Sequence, residues 1–411
     1  MRRPSPWLIL VVILLGVLIV RDPRLRQADD FLFARFVENA ESTLPPAGVT
    51  LVEIGREDFQ GLTPLDQRRE LPKGEAARRS LSPLEYALFL QAALDFRPAV
   101  IGIEPLLIWR TEDKVQEQVL LDQAMRVPKL LVALEIGGKG SRELAPEDLP
   151  VLPNVTGPRG YLPEFFGIAR QPDDDIRLIS SPGLVAPPQV ERDGMRVPML
   201  FEYNGEVVAS FPLEAVLLWL GATPADARVE LGSQIVLPNG WKIPLHRDGT
   251  MTINPGAQKS VRRLDLNDLL LAAQEQEHHR PFTRDLRDLK NQILLLRLEG
   301  DPLQRSNVFS TAIATIQTNA YIRAAPATVS WIIILVLALV ASLSRLISRS
   351  NFFLGAIALS AGYALMDLGF ISQYRIWLPL LLPLALLWFI AVGRLFDREA
   401  NRPKHELVVT G

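Results

Sequence analysis

The sequence predicts an α/β extracytoplasmic domain, a mostly parallel sheet with helices on both faces plus a hairpin-rich insert, joined to four transmembrane α-helices. Three observations predict this architecture. Continuous apolar runs alternate with helical patterns in the central region, as they do where strands are buried on both faces. Asn-Gly and Asp-Gly dipeptides, which favour tight hairpin turns, punctuate its middle part. Long apolar stretches lie near both ends of the chain.

The composition narrows the functional classes. The 411 residues carry a net charge of −2, so no overall basic field points to nucleic acid as a partner. The chain contains no cysteine, which excludes disulfides, thiolate metal sites and a thiol nucleophile. Both features are compatible with a protein of the bacterial cell envelope.

Four segments are apolar enough to predict membrane spans. The predicted order is a cytoplasmic N-terminus (1–6), transmembrane helix 1 (7–20), an extracytoplasmic domain (21–326), transmembrane helices 2, 3 and 4 (327–346, 352–371 and 376–394) and a cytoplasmic tail (395–411). The first segment is short enough to be the core of a cleaved signal peptide. No small-x-small cleavage site follows it, which favours a retained anchor, although both alternatives stay open.

Charged residues beside the spans predict their orientation. Lysine and arginine are commoner on the cytoplasmic side of a membrane. With both termini inside, the inner flanks carry eight such residues and the outer flanks five. We therefore predict a multi-pass protein of the bacterial inner membrane whose large domain lies in the periplasm, with membrane lipid around its helices. Ala358 and Gly362 have a small-xxx-small spacing, which permits close helix approach and association of two copies.

The first half of the domain alternates strands and helices. Strands are predicted at 48–54, 99–104 and 129–136, and helices at 82–96 and 112–126. The first helix has a capping box, because Ser82 precedes a proline and Glu85 lies three residues after the cap. This alternation predicts the parallel part of the sheet.

The middle, residues 137–256, is rich in proline and glycine and reads as hairpins. Asn-Gly at 204–205 and 239–240, and Asp-Gly at 193–194 and 248–249, separate strand-like runs, and one helix at 210–222 interrupts them. The alternating pattern then returns with a helix at 264–276, a strand at 291–300 and a helix at 307–325. We expect this last helix to continue into the membrane and to act as the transmitter of a signal.

Polar residues at the ends of the predicted strands form the candidate ligand site, because ligands of open α/β sheets bind beyond the carboxyl ends of the strands. The predicted ligand-binding residues are Arg56, Glu57, Glu104, Arg297 and Asp301. Asp58, Glu299 and Arg305 lie in the same stretches. A mixture of carboxylates and guanidinium groups suits a small polar or anionic ligand. The alternative is a network of ion pairs that closes the edge of the sheet.

Other polar motifs are weaker. Residues 136–141 lack the spacing of a phosphate loop, Asp173 to Asp175 lack that of a calcium loop, and adjacent His278 and His279 point apart on a helix. We therefore predict no catalytic residue, no metal site, no cofactor and no enzymatic activity. Asp367 is either a functional intramembrane carboxylate or, as we expect, a side chain that reaches interfacial water.

Several ordered segments resemble the CHASE type-two family of extracytoplasmic sensory domains. The resemblance lies in "ADDFLFARF" (28–36), "VTLVEIGREDFQGL" (49–62), "LSPLEYALFLQAALDFRPAVIGIE" (81–104), "DGMRVPMLFEYNGEVVASFPLEAVLLWLGA" (193–222) and "IPLHRDGTMTINPGA" (243–257). Together with the membrane layout it covers most of residues 20–396. Gly55 and Glu104 stand where the family usually has aspartate, and Arg297 and Glu299 stand where it has small residues. These departures fall at strand ends, where a ligand would lie.

The resemblance implies a membrane-anchored sensory protein. In that family a kinase, cyclase or phosphatase domain normally follows the last span, whereas here only residues 397–411 follow it. We therefore expect the signal to be relayed to a separate protein partner that carries the output activity. The alternative function is a structural or assembly subunit of an envelope complex, whose periplasmic domain binds protein and senses nothing.

Overall fold

The structure is a computed structural model of the chain and describes residues 6–22, 28–29, 31–33, 37, 44–54, 81–109, 113–145, 148–187, 196–281, 283–298, 308–344 and 347–396. The chain divides into two compact units. The larger unit is Glu41–Tyr321. The smaller unit combines Met1–Ala40 with Ile322–Gly411. The domain boundaries predicted from the sequence stay predictions.

The helices and strands of both units are numbered in chain order. The helices are α1 (Pro6–Arg21), α2 (Pro83–Asp95), α3 (Lys114–Ala124), α4 (Asp174–Leu178), α5 (Phe211–Leu220), α6 (Leu266–Glu277), α7 (Val308–Gln317), α8 (Ala327–Leu343), α9 (Arg349–Tyr374) and α10 (Leu381–Phe396). The strands are β1 (Val49–Ile54), β2 (Val100–Ile103), β3 (Leu130–Gly137), β4 (Val155–Thr156), β5 (Glu164–Phe165), β6 (Gly167–Arg170), β7 (Ser181–Val185), β8 (Arg196–Pro198), β9 (Leu200–Tyr203), β10 (Glu206–Ala209), β11 (Arg228–Glu230), β12 (Gln234–Val236), β13 (Lys242–Pro244), β14 (Thr250–Thr252), β15 (Arg262–Asp265), β16 (Ile293–Leu298), β17 (Arg323–Ala324) and β18 (Ile376–Trp377).

A seven-stranded sheet organises the larger unit and confirms the predicted mixed α/β fold. Its strand order is β15-β1-β16-β2-β3-β6, and β7 also pairs with β3. Every pairing is parallel except that of β3 with β6. The four continuous apolar runs predicted as strands form β1, β2, β3 and β16, which lie next to one another in the sheet.

Both faces of this sheet are buried, which explains why its strands are apolar throughout rather than alternating. On one face, Val52, Ile103 and Val132 join a core with α2 and α6. On the other face, Leu51, Leu131 and Leu295 join a core with α5 and α7. Helix α2 begins as predicted, with Ser82 as its N-cap and Glu85 completing the capping box.

The hairpin-rich insert forms three small sheets, with strand orders β10-β9-β5, β13-β12-β11-β4 and β14-β8. Asn204 and Gly205 turn between β9 and β10 with φ of 49° and 80°, which is the left-handed backbone that Asn-Gly favours. Gly240 and Gly249 also have positive φ at the predicted turns. The dipeptide at 193–194 lies outside the described residues.

The predicted long helix at 307–325 is wrong in its extent. Helix α7 ends at Gln317, and Asn319 adopts the left-handed conformation with φ of 50°. The amide of Asn319 donates to the Ile316 carbonyl, and that of Ala320 donates to the Thr315 carbonyl. These two bonds form a Schellman motif, which satisfies the last helical carbonyls and ends the helix. The expected continuous helix into the membrane is therefore absent.

In the described part of the smaller unit, four apolar helices, α1, α8, α9 and α10, accompany the short ribbon of β17 and β18. Val12, Ile334, Leu386 and Ile390 form part of its buried core. Gly16 lets α1 approach α8 closely, because a Cβ atom there would lie 2.9 Å from the Ile334 side chain. The unit thus has an apolar interior of its own.

One helix among the described residues is long and apolar enough to cross a membrane, namely Ser350–Tyr374 within α9. The other predicted spans form shorter apolar helices, so four transmembrane helices are not established. Within the predicted span 376–394, β18 occupies the first two residues and α10 starts at Leu381. Ala358 and Gly362 lie on the exposed surface of α9 rather than at a helix contact within the chain.

Close packing of Phe211 on the sheet predicts a sensitive glycine. A Cβ atom at Gly183 would collide with the buried Phe211 ring, which stacks on Phe309. Gly183→Ala should therefore destabilise the larger unit by about 1–3 kcal/mol through overpacking. The measurement is urea unfolding of the detergent-solubilised full chain.

The matched control for this prediction is Gly160→Ala. No heavy atom lies within 4 Å of a Cβ at Gly160, so this variant should unfold like the parent. Equal unfolding midpoints for Gly183→Ala and Gly160→Ala would contradict the packing described for Phe211.

Candidate functional site

Charged residues gather at the carboxyl ends of four adjacent parallel strands. Glu53 lies on β1, Arg297 on β16, Glu104 directly after β2 and Glu135 on β3. Side chains two residues apart on a strand point to the same face. Leu51, Val100, Leu131 and Leu295 face α5 and α7. The charged residues two or four positions later therefore lie on that same face. The carboxyl edge of the sheet therefore carries a row of buried and half-buried charges.

Arg297 lies at the centre of this row. Glu53 is its partner in the parallel register of β1 and β16, and Nη1 of Arg297 lies 3.5 Å from Oε1 of Glu53. The Arg297 side chain is 9% exposed and that of Glu53 is 26% exposed. This contact is therefore an ion pair at the boundary between the apolar core and the edge of the sheet.

Glu104 is 6% exposed and comes next along the edge. Its amide donates a hydrogen bond of 3.1 Å to the Leu296 carbonyl, which holds the end of β2 against β16 beside Arg297. The side chains of Arg297 and Glu104 thus project from neighbouring positions at the ends of β16 and β2. Their backbones are fixed by the sheet rather than by a loop.

A second ion pair closes the far side of the edge. Nε of Arg170 on β6 donates to Oε2 of Glu135 on β3. The two residues are also partners in the antiparallel register of β3 and β6, next to a shift in that register. Glu135 is buried, whereas the Arg170 side chain is about a third exposed. This pair lets the mixed sheet end without leaving the Glu135 carboxylate alone in the core.

Two helices begin at this edge. Helix α5 begins beside the end of β7, where its N-cap Ser210 forms a β-bridge with Leu184. It ends beside the start of β3, where Nζ of Lys129 donates to the Leu218 carbonyl. Helix α7 ends at Gln317, whose side chain donates to the Gly48 carbonyl just before β1. Both helices therefore run antiparallel to the strands. Their N-termini, which carry partial positive charge, lie at the carboxyl edge.

The predicted site residues are accounted for only in part. Arg297 lies on β16 and Glu104 lies directly after the adjacent β2, as the strand-end argument requires. Arg56, Glu57 and Asp301 lie outside the described residues, as do Asp58, Glu299 and Arg305. Glu53, Glu135 and Arg170 are not among the predicted site residues. A charged residue at the penultimate position of an apolar strand is a signal that would have found Glu53 and Arg297 together.

Glu214 on α5 is a buried carboxyl group apart from this row. It is 5% exposed, and its Oε2 has no hydrogen-bond partner among the described residues. Burial raises its pKa from the ordinary value of 4.5 to about 7, and no charged group contributes to the shift. The hydroxyl of Ser210, one turn earlier, is also buried without a partner in the described part of the chain. Apolar burial rather than an ion pair therefore sets the state of Glu214.

The weaker motifs of the sequence lie elsewhere. Residues 136–141 form the end of β3 and a turn in which the Ser141 amide donates to the Gly138 carbonyl. Asp174, at the start of the short α4, forms ion pairs with Arg142 and Arg177. His278 follows the end of α6. Within the described ranges no three histidine, aspartate or glutamate residues are grouped to hold a metal ion.

The row at the carboxyl edge suits recognition of a small charged or polar molecule. Glu53 and Glu104 offer carboxylate oxygens, Arg297 offers a planar set of donors, and the N-terminus of α7 favours negative charge. These groups stand on strands and helices, so they are held in fixed positions. The arrangement provides binding and orientation, and we assign no catalytic step to it.

Comparison with known proteins identifies no relative: no family model, no curated protein and no solved structure matches the chain.

The buried Glu214 predicts a specific dependence of stability on pH. Its pKa is higher in the folded than in the unfolded chain, so the unfolded state releases the proton first as pH rises. Stability should therefore fall between about pH 4.5 and pH 7 and level off above that range, by roughly 3 kcal/mol from this group. Urea unfolding of the full chain at a series of pH values measures this loss.

Two variants test the assignment to Glu214. Glu214→Gln should remove most of the stability loss across this pH range, because the amide does not ionise. Glu206→Gln, at an exposed position of the β9–β10 hairpin, should keep the loss seen in the parent. If Glu214→Gln shows the same loss as the parent, Glu214 is not the responsible group.

Proposed function

We propose that the protein is a membrane-anchored periplasmic sensory protein, of the kind represented by the CHASE type-two family, which relays an extracytoplasmic signal to a partner protein. The row of Glu53, Arg297 and Glu104 at the carboxyl edge of the parallel sheet carries this proposal. It lies where open α/β sheets bind ligands. The resemblance in the ordered segments and in the membrane layout supports the same conclusion.

The energetics of the row support a role beyond stability. Removing charges from water costs several kcal/mol per ion, and buried ion pairs are often no more stabilising than apolar residues of similar volume. Glu104 and Arg297 are nevertheless both more than nine-tenths buried. In this proposal their charges are kept because a ligand with complementary polar groups binds them. Such a ligand biases the conformation of the domain only if it binds two states unequally.

The membrane arrangement is the second part of the proposal. Helices α1, α8, α9 and α10 each cross the inner membrane, so that both chain termini lie in the cytoplasm and the larger unit lies in the periplasm. The qualifying length and hydropathy of α9 support the membrane location. The excess of lysine and arginine on the inner flanks supports the orientation. Ala358 and Gly362, exposed on α9, then face lipid, a second copy or a helix of the partner.

The proposed topology is tested with single cysteines in this cysteine-free chain. Tyr161 is exposed on the larger unit, and Ile347 is exposed between α8 and α9. A membrane-impermeant maleimide added to intact spheroplasts should label Tyr161→Cys and not Ile347→Cys. After permeabilisation it should label both, because the second position is then accessible from the cytoplasmic side. The reverse labelling pattern in intact spheroplasts would overturn the orientation.

The sensory role is tested by purifying the full chain from its native membranes. We expect a kinase, cyclase or phosphatase to copurify, with an activity that Arg297→Gln changes about fivefold or more, since this is the usual range of coupling between two sites. Arg228→Gln, on the exposed part of β11, is the matched control and should behave like the parent.

The same purification distinguishes the alternative function. Recovery of secretion or wall-assembly proteins, with no signalling enzyme, would replace the sensory role with that of an assembly subunit. A copurified signalling enzyme whose activity is unchanged by Arg297→Gln would remove Arg297 from the signal-binding site.

A further inference from the structure

The turn between α9 and α10, residues 375–380, is held by a carboxylate from a distant part of the chain. Oδ1 of Asp29 accepts hydrogen bonds from the amides of Leu380 and Leu381, at 3.0 and 2.8 Å. Its Oδ2 accepts a hydrogen bond of 3.3 Å from the indole Nε1 of Trp377. Because Leu381 is the first residue of α10, Asp29 acts as the cap of a helix far from it in sequence.

A second carboxylate holds the same turn from α9. Oδ1 of Asp367 accepts a hydrogen bond of 3.0 Å from the amide of Leu378. Asp367 is 1% exposed, so the expectation that it reaches interfacial water is wrong. One turn earlier on α9, the Tyr363 hydroxyl donates to the Pro379 carbonyl at 3.0 Å. The turn is therefore held by side chains from two separate segments of the smaller unit.

The turn also pairs with the chain that follows the larger unit. The amide of Arg323 donates to the Arg375 carbonyl at 2.9 Å, and the amide of Ala325 donates to the Trp377 carbonyl at 2.8 Å. These bonds make the parallel ribbon of β17 and β18. The ring of Trp377 packs on Phe33, with centroids 4.7 Å apart. Trp377 thus belongs at once to the ribbon and to the contacts around Asp29.

The position of this ribbon in the chain gives it a special role. The chain passes between the two units at residues 40–41 and again at 321–322. Helix α7 stops before the second passage, so β17 is the first regular element after it. Asp29 lies shortly before the first passage. The second connection to the larger unit therefore enters the ribbon that pairs with the turn between α9 and α10.

We infer that β17, β18 and the carboxylates of Asp29 and Asp367 form a coupling joint, through which displacement of the chain at residues 321–322 moves the turn between α9 and α10. This inference rests on the proposed relay function for its biological meaning. The joint replaces the continuous helix that the sequence predicts as transmitter. A short ribbon transmits displacement because its backbone hydrogen bonds require the two strands to move together unless those bonds break.

The two carboxylates have unequal roles in the joint. Asp29 accepts three N–H groups with two oxygens, so an amide in its place would set its NH₂ against a donor. Asp367 accepts one N–H group, and its Oδ2 has no hydrogen-bond partner among the described residues. An asparagine at 367 still offers the one acceptor that is required. Asp29→Asn should therefore loosen the joint more than Asp367→Asn.

Hydrogen–deuterium exchange on the full chain in lipid nanodiscs tests the joint directly. Asp29→Ala should accelerate exchange about tenfold at the amides of Leu380 and Leu381, which lose their acceptor. If the joint acts as one element, the amides of Arg323 and Ala325 should accelerate to a similar extent. Asp29→Asn should follow the same pattern, and Asp367→Asn should give a smaller change.

The control variant and the results that would contradict the inference give different exchange patterns. Ser372→Ala removes an exposed hydroxyl that donates to the Gly369 carbonyl on α9, and it should leave exchange in the ribbon unchanged. Acceleration confined to Leu380 and Leu381 would reduce Asp29 to a local helix cap and overturn the coupling. No acceleration at any of these amides would overturn the contacts themselves.

The exchange experiment is independent of signalling. Failure of the topology or copurification tests would remove the sensory function and leave the exchange pattern of the joint as described. Conversely, a signalling partner recovered with an unchanged exchange pattern in Asp29→Ala would keep the sensory function and reject this route of transmission.

Discussion

Burial of the parallel strands on both faces is the constraint on which the larger unit depends. Strands β1, β16, β2 and β3 have apolar side chains on both faces, with α2 and α6 on one side and α5 and α7 on the other. Such strands leave no place in their interior for an unpaired charged side chain. Charged residues are therefore confined to the ends of the strands, where the edge of the sheet meets solvent. The candidate site is a consequence of this confinement.

The carboxyl edge is consequently the place where burial and charge compete. Arg297 and Glu104 are nearly as buried as the apolar core residues beside them, although both have ionisable side chains. Glu214 shows the opposite solution to the same problem, because burial without a charged partner raises its pKa to about 7. The domain therefore contains two kinds of buried ionisable group. Arg297 lies beside a charged partner on an adjacent strand, whereas Glu214 is surrounded by apolar side chains. The first kind of site suits recognition of a ligand.

A local backbone motif determines how the chain leaves the larger unit. The Schellman motif at Asn319 ends α7, so the helix cannot act as a rigid rod into the apolar helices that follow. The chain continues instead into β17, which is fixed to β18 by backbone hydrogen bonds. Asp29 and Asp367 then bind the turn that contains β18.

The sequence by itself determined the strands β1, β2, β3 and β16, the capping box of α2 and the turn at Asn204 and Gly205, because each depends on the period or backbone preference of neighbouring residues. It also indicated that Glu104 and Arg297 stand at strand ends. Only the tertiary structure decided that Glu53 pairs with Arg297, that Asp29 caps α10 and that β18 takes the start of a predicted span. These contacts join segments far apart in the chain. No local pattern records which strand or helix end a given charge will meet.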